Sequence, residues 1–519
     1  MMENFYITTA IDYVNGAPHI GHAYEKIYTD ILFRHFKKRV KECFFLTGTD
    51  EHGIKIQKTA HAAGITPKEL CDINSNKFKE AWALLDIGYS KFIRTTNDYH
   101  KKIVQDIFEK LLENGDIYKH SYTGLYCSGC ETFLNAKDLD EEGKCPIHGK
   151  KPETVSEENY FFRLTKYKEK IISHIKNNPG FILPEFRANE VLNQLENIED
   201  ISVSRAKSSV EWGIEVKSDP SQVIYVWIDA LSNYITALGY SVEGNHDDNF
   251  KKFWPANFHI IGKDILKFHS IYWIAILMAL GVELPKSIYA HGWITIDKNK
   301  MSKSTGNVIS PSTVMEAYEL KTPDALRYFM ATAAVNGKDG NYSDIDFKEK
   351  VNADLANNMG NLLNRSLNML VKYFDGEIKE EFIKDNELNS KAKNVIEEVQ
   401  TFFDKCDISS AANSIIGLVD EANKYVNDTA PWSLAKEGKM DECGMVLYNV
   451  LNLMVKIALL IEPYCPNIAQ SMANQLKFDI NLEYTEITSN MIKPGMLITK
   501  DEIVPVFLRL DSEFATNKK

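Results

Sequence analysis

Strand and helix patterns alternate from the first residues of this chain, and that order restricts its N-terminal part to an α/β core. Phe5-Tyr6-Ile7-Thr8-Thr9-Ala10 is rich in β-formers, Asp12 to Pro18 in turn formers, a helical pattern runs from His19 to about Lys38, and Cys43 to Gly48 reads as a second strand. Thr49-Asp50-Glu51-His52-Gly53 then leads into another helix. Strands joined by helices at this spacing build a parallel sheet. The pattern returns at Ile224 to Trp227, at Phe258 to Asp264 and at Ser287 to Thr295. Residues 117–160 interrupt it with short, polar, cysteine-bearing sequence, which reads as an inserted module. Beyond about 350, apolar residues recur at helical spacing over 351–374, 390–404, 410–427 and 444–462. Strand-like pieces such as Val504 to Leu508 close the chain.

A length of 519 residues exceeds what one hydrophobic core serves, so two to four domains are expected. With 44% apolar and 25% charged residues, the chain is not disordered, collagen-like or a coiled coil. No run of about 18 uncharged apolar residues is evident; the best stretch, Ile271 to Val282, is short. The N-terminus lacks a basic leader followed by an apolar stretch, so a cytoplasmic protein with no membrane association is expected. The net charge of −12 argues mildly against a nucleic-acid partner without excluding one, because local patches govern such binding. Three of the eight cysteines crowd between 127 and 145, which points to a metal site in a reducing compartment.

Three motifs bear chemistry. Pro18-His19-Ile20-Gly21-His22 stands at a strand–loop–helix junction. A helix N-terminus offers unpaired N–H groups and partial positive charge to a phosphate, and imidazoles at i and i+3 share a face. Gly21 lets a ligand approach the backbone. Taken alone, the pair reads equally well as surface histidines on an ordinary helix. Lys300-Met301-Ser302-Lys303-Ser304, before Thr305-Gly306-Asn307, makes a mobile cationic loop able to close on a polyphosphate. Alone it reads better as a solvated basic turn. Cys127-Ser128-Gly129-Cys130 and Cys145-Pro146-Ile147-His148, with 14 residues between the halves, supply three thiolates and one imidazole. That set fits one closed, structural Zn2+ site that folds a module with little core of its own.

The first two motifs together, letter for letter HIGH at 19–22 and KMSKS at 300–304, resemble the paired signatures of the class I aminoacyl-tRNA synthetases. The gap of about 280 residues between them is too small for the editing domain of the isoleucyl, valyl and leucyl enzymes. The cysteinyl enzymes have a cysteine just before HIGH, where this chain has Ile11-Asp12-Tyr13. Over essentially the whole chain the sequence resembles the methionyl-tRNA synthetases, most specifically at Ala10 to Glu25, Gly48 to Gly53, Tyr225 to Ala230, His259 to Ile265 and Ala430-Pro431-Trp432.

The resemblance implies a split Rossmann-like nucleotide-binding domain with a parallel sheet, a zinc-binding insert and an all-α anticodon-binding C-terminal domain. The expected boundaries are 1–116 and 221–295 for the catalytic halves, 117–160 for the zinc knuckle, 161–220 for the rest of the connective region, 296–350 for the lysine loop and connector, and 351–519 for the helical domain. It implies ATP contacts from His19, Gly21, His22, Glu25, Lys300 and Lys303, with the two histidines and two lysines catalytic. It implies a methionine pocket walled by Ile11, Tyr13, Trp227, Ala230, Leu231, Tyr234, Ile265 and His269, with Asp50 anchoring the ammonium. Leu231 stands where some relatives have proline. Arg205 and Asp264 match positions near the active site, and Asn361, Arg365 and Trp432 match anticodon contacts. Residue chemistry agrees: a thioether suits an aromatic wall, an α-amino group needs a carboxylate, and tryptophan offers an unstacked base a plane. From spacing alone, Trp227, Tyr234 and Trp432 read as packing residues. Expected partners are tRNA(Met), including the initiator, ATP with Mg2+ and L-methionine, in a monomer. Rival readings are a cysteinyl enzyme, a non-catalytic tRNA-binding paralogue and a nucleotidylyltransferase.

Overall fold

The computed structural model describes residues 3–127, 132–134, 138–147, 149–297, 308–384 and 386–510. Lys300, Lys303, Cys130 and His148 lie outside the described residues.

A parallel sheet forms the centre of the catalytic domain. Strand β1 (Asn4–Thr9) pairs on one side with β2 (Glu42–Asp50) and on the other with β4 (Phe258–Gly262). The edges continue through β3 (Lys91–Arg94) beside β2, and through β5 (Ser287–His291) beside β4. Five of the six residues of β1 are buried, as befits a parallel strand covered on both faces. The strand order reverses at β1, and ligands of open α/β sheets bind beyond the carboxyl ends of strands at such a reversal. Past β1 the chain runs on as the short strand Asp12–Tyr13, which pairs with Thr49 and Asp50 at the end of β2.

Helix α1 (Ile20–Lys37) leaves this point and is buried along most of its length. Its far half grips the connector and the helical domain. Asp30 binds Arg327 at 2.7 Å with both side chains fully buried, and the His35 ring stacks 3.7 Å from that of Phe403. One helix therefore spans from the sheet's ligand edge to the C-terminal domain.

Two expectations on the local structure need correction. Ile224 to Trp227 is not a strand of the main sheet. Ile224 ends an antiparallel strand (Asp219–Ile224) of a separate sheet with Ser204–Ala206 and Ile214–Val216, and helix α2 (Val226–Thr236) begins two residues later. The β-branched and aromatic run concealed the helix, whose apolar side chains follow the i, i+3, i+4, i+7 rhythm. Val504 to Leu508 forms no strand; Leu510 is tied down by two hydrogen bonds with the Asn352 side chain. The insert is also built less modestly than its polar sequence implied. Its strands, Ile117–Cys127 and Glu153–Phe162, pair antiparallel from Ile117↔Phe162 to Tyr126↔Glu153.

The helical region starts at Asp344 and includes Asn361–Phe374, Glu387–Asp404, Ile408–Thr429, Met440–Ile461 and Pro466–Leu476. Met440–Ile461 is long and apolar enough to cross a bilayer by length and composition, but it carries Asp441, Glu442 and Lys456 and is the buried core of this domain. Its Lys456 donates to Asn389 Oδ1 at 2.8 Å.

Candidate active site

The loop from Asp12 to Pro18 ends in an N-cap made by the histidine pair itself. His19 Nδ1 accepts from the Gly21 N–H at 3.1 Å, and His22 Nδ1 accepts from the His19 N–H at 3.2 Å, a reciprocal capping box. Because both Nδ1 atoms accept, each neutral ring holds its proton on Nε2. The ring centroids are 3.8 Å apart. Two N–H donors thus stand together at the positive end of α1.

This end of α1 faces a cavity of about 330 Å³ lined by Ala10 to Tyr13, His19, Gly21, His22, Glu25, Gly262, Asp264, Ile265 and His291 to Ile294. A Cβ at position 262 would stand 2.7 Å from Asp264 Oδ1, so a larger residue there would displace that carboxylate. Asp264 in turn accepts from Trp293 Nε1 at 3.1 Å. A buried ion network forms the floor. The Lys26 ammonium donates to Asp12 Oδ1 at 2.8 Å, Glu25 Oε1 at 3.0 Å and the Ala10 carbonyl at 3.1 Å, and His291 Nε2 lies 3.1 Å from Glu25 Oε2. Burial pushes the Asp12 carboxyl up to about 7, the Lys26 charge offsetting only part of that cost. Burial also opposes the Glu25 charge, but Lys26 and His291 outweigh it and hold the group below its ordinary value.

A second cavity, of about 290 Å³, adjoins the first through Ala10, Ile11, Tyr13 and Ile265. All nine residues expected around methionine line it: Ile11, Tyr13, Asp50, Trp227, Ala230, Leu231, Tyr234, Ile265 and His269. Four come from one stripe of α2, and Trp227 stacks on Phe268 with centroids 3.6 Å apart. Ile265 and His269 stand one helical turn apart, His269 within a π-helical segment (Phe268–Trp273). His269 Nδ1 donates to the Ile265 carbonyl at 2.9 Å, which leaves Nε2 to accept the Tyr234 hydroxyl at 2.6 Å. Burial lowers the His269 pKa to about 4, so the ring is neutral. Under α2, Asp229 binds His52 Nδ1 at 2.7 Å and His100 Nε2 at 2.8 Å, fixing the helix against the end of β2. Burial opposes the Asp229 charge, but the two imidazoles hold its pKa below the usual range.

Family models and relatives match this architecture. The model described as tRNA synthetases class I (M) matches residues 5–147 and 135–367, and the anticodon binding domain of methionyl tRNA ligase matches 377–508. This chain belongs to the methionyl-tRNA synthetase family. The methionine–tRNA ligase of Caldanaerobacter subterraneus subsp. tengcongensis is 44% identical over 527 residues, spanning 100% of this chain and 81% of that one. That of Clostridium tetani is 43% identical, over 98% of this chain and 79% of its own length. The Mycobacterium tuberculosis methionyl-tRNA synthetase in complex with methionyl-adenylate superposes with a TM-score of 0.92 at 36% identity, over 98% of this chain and all of the other. The free form of the mycobacterial enzyme gives 0.85.

The remaining expected residues of the synthetase lie apart from the two cavities. Arg205 is buried in the next clefts, donates to Ser202 Oγ at 2.7 Å and lies over the Tyr225 ring; one of these clefts shares Trp227 with the second cavity. Cys127 and Cys145 are buried in the insert. Among the described residues no cluster of three metal-ligating side chains occurs, two of the four expected ligands lying outside them. In the helical domain Arg365 Nη2 donates to Asn423 Oδ1 at 2.8 Å, and Asn423 donates to Asn358 Oδ1 at 2.6 Å. Asn361 is exposed, and Trp432 is 37% exposed at the start of helix Pro431–Lys436, so it is not a core side chain. Sequence reading missed Asp12 and His291 in the lining of the first cavity, Lys26 beneath it, and Lys55 and Val226 in the second. Beyond a charge that any exposed helix lysine also carries, nothing in the sequence marked Lys26 and Lys55.

Proposed function

We infer that this enzyme attaches L-methionine to tRNA(Met) at the expense of ATP, through methionyl-adenylate, and so serves translation initiation and elongation. The observation behind this reading is the adjacency of two cavities: one headed by the His19–His22 cap, the other ringed by α2 and closed by Asp50. Their shared wall is where a methionine carboxylate would meet an α-phosphate.

In the first step a carboxylate oxygen attacks the α-phosphorus and pyrophosphate departs with the bonding electrons. The substrate supplies the nucleophile, so positioning and charge stabilisation are the protein's tasks. Asp50 holds the ammonium, and Trp227, Tyr234 and the apolar wall hold the thioether. His19 and His22 donate to the phosphates through Nε2, with Gly21 and Glu25 beside them, and Lys300 and Lys303 close over the triphosphate. Mg2+ accompanies ATP. In the second step a terminal ribose hydroxyl of the tRNA attacks the adenylate carbonyl, AMP leaves, and its phosphate accepts the proton. Asp264 supports the nucleotide, and Arg205 stands near the path from the insert. Asn361, Arg365 and Trp432 read the anticodon, Trp432 by stacking.

Cys127, Cys130, Cys145 and His148 fit one structural Zn2+ by the chemistry of their donors; when bound, the metal closes the tip of the insert. A monomer acting in the cytoplasm on both initiator and elongator tRNA completes the reading, and the domain limits follow the expected boundaries given above.

ATP–pyrophosphate exchange measured across all twenty amino acids tests the specificity. Exchange dependent on methionine alone is expected; exchange driven by cysteine, or by none, would overturn it. Trp432→Ala should keep that exchange and lose tRNA charging, whereas equal loss of both would return Trp432 to the fold.

A further inference from the structure

Lys55 is the one lysine or arginine among the described residues that line the methionine cavity. It occupies the first turn of helix Ile54–Ala63, five positions beyond Asp50 at the end of β2. Gly53, at φ 111°, turns the chain between them so that both side chains face the same space. The Lys55 ammonium lies 6.0 Å from the centroid of the Tyr13 ring. Tyr13 belongs to the wall common to both cavities, and Lys55 lines the methionine cavity without lining the nucleotide cavity. Its charge therefore stands on the amino-acid side of the junction, not on the phosphate side.

An α-amino acid arrives as a zwitterion, its ammonium and carboxylate on one carbon. A site that takes both ends needs an anion and a cation as neighbours. Asp50 is the anion. His269 cannot be the cation, because its Nδ1 proton is committed to the Ile265 carbonyl and its Nε2 accepts from Tyr234. His19 and His22 line the other cavity.

We propose that Lys55 binds the α-carboxylate of the methionine substrate, side by side with the hold of Asp50 on the ammonium. This rests on the assignment of the cavity to methionine made above. The ion pair engages one carboxylate oxygen and leaves the other to form the bond to the α-phosphorus as pyrophosphate leaves. It also offsets the repulsion between the carboxylate and the incoming triphosphate, and it selects ligands with a free carboxylate over the corresponding alcohol or amine.

The test compares L-methionine with L-methioninol, in which a hydroxymethyl group replaces the carboxylate. Methionine-dependent exchange by the wild-type enzyme is measured first; its absence would sink the cavity assignment itself, whatever Lys55 does. In Lys55→Met the KM for methionine in exchange should rise about tenfold or more while the inhibition constant of methioninol stays within about twofold, the signature of one lost charge-assisted contact. Lys55→Arg, which keeps the charge, should recover most of the loss. Parallel weakening of methionine and methioninol, or an unchanged KM in Lys55→Met, would overturn the proposal.

Discussion

The two cavities share a wall of Ala10, Ile11, Tyr13 and Ile265, yet away from the Asp50 and Lys55 mouth of one of them they are built on opposite electrical plans. In the methionine cavity one stripe of α2 supplies Trp227, Ala230, Leu231 and Tyr234, and the deeply buried base, His269, is kept neutral by its hydrogen bonds. Beneath the cavity proposed for the nucleotide the buried groups are ionisable and cross-linked, Lys26 joining Asp12, Glu25 and the Ala10 carbonyl in one node. A thioether bears no charge and is recognised by shape and polarizability. A triphosphate demands donors already fixed in place, because donors that must reorganise lose their electrostatic advantage. The comparison extends to pH. The folded Asp12, raised from 3.8 to about 7, binds a proton that the unfolded chain has released, so its stabilising contribution is full at low pH and is lost as pH rises through 7. The folded His269, lowered from 6.5 to about 4, refuses a proton that the unfolded chain accepts, so its contribution is full above 6.5 and is lost as pH falls toward 4.

Breaking the charged node should produce the largest effect. Lys26→Met strands the buried Asp12 carboxyl and leaves Glu25 with His291 alone, and is expected to cost about 3–5 kcal/mol in denaturant unfolding. The double variant Lys26→Met/Asp12→Asn should regain much of that, because Glu25 keeps His291 as a partner. An unchanged unfolding midpoint in the single variant would mean that the node is not what holds the wall to α1. Next comes the neutral base. Between pH 6.5 and 4 the wild-type protein should lose roughly 3 kcal/mol through His269. His269→Gln should flatten that part of the stability profile, and an identical profile in the two proteins would remove His269 from it. The smallest effect sharpens the boundary between the cavities. Asp50→Asn should weaken methionine about 10- to 100-fold, the range for a hydrogen bond to a charged group, while ATP binding measured without methionine stays unchanged. Equal loss of both ligands would make the two cavities one site.

Much of this architecture was legible in the residues. The strand–helix alternation around His19 led directly to β1, α1 and β2, and the helical periods after 350 correspond to the observed helices within a few residues. The methionine wall was legible only by resemblance: the same stripe on α2, read by spacing alone, describes an ordinary core face, because a pocket wall and a core face obey one periodicity. Lys26 and Lys55 escaped notice for a different reason. A lysine on a helix usually faces water, and nothing local marks Lys26 as buried. Its partner Asp12 is 14 positions away, and the network closes through His291, 266 positions from Glu25. Ile224 to Trp227 was misassigned because β-branched and aromatic residues suit both a strand and a buried helix start.

What the sequence determined by itself was local and chemical. It set the period of each helix, the break at Pro18, the imidazole pair that caps α1, and the donor set for a metal in the insert, since these depend on neighbours within a few positions. The tertiary structure alone decided where charge could be buried. Whether a lysine, a histidine or a carboxyl is ionised depends on the dielectric and the partners brought to it from distant parts of the chain, and in this protein those partners arrive on separate strands and helices at the edge of one sheet.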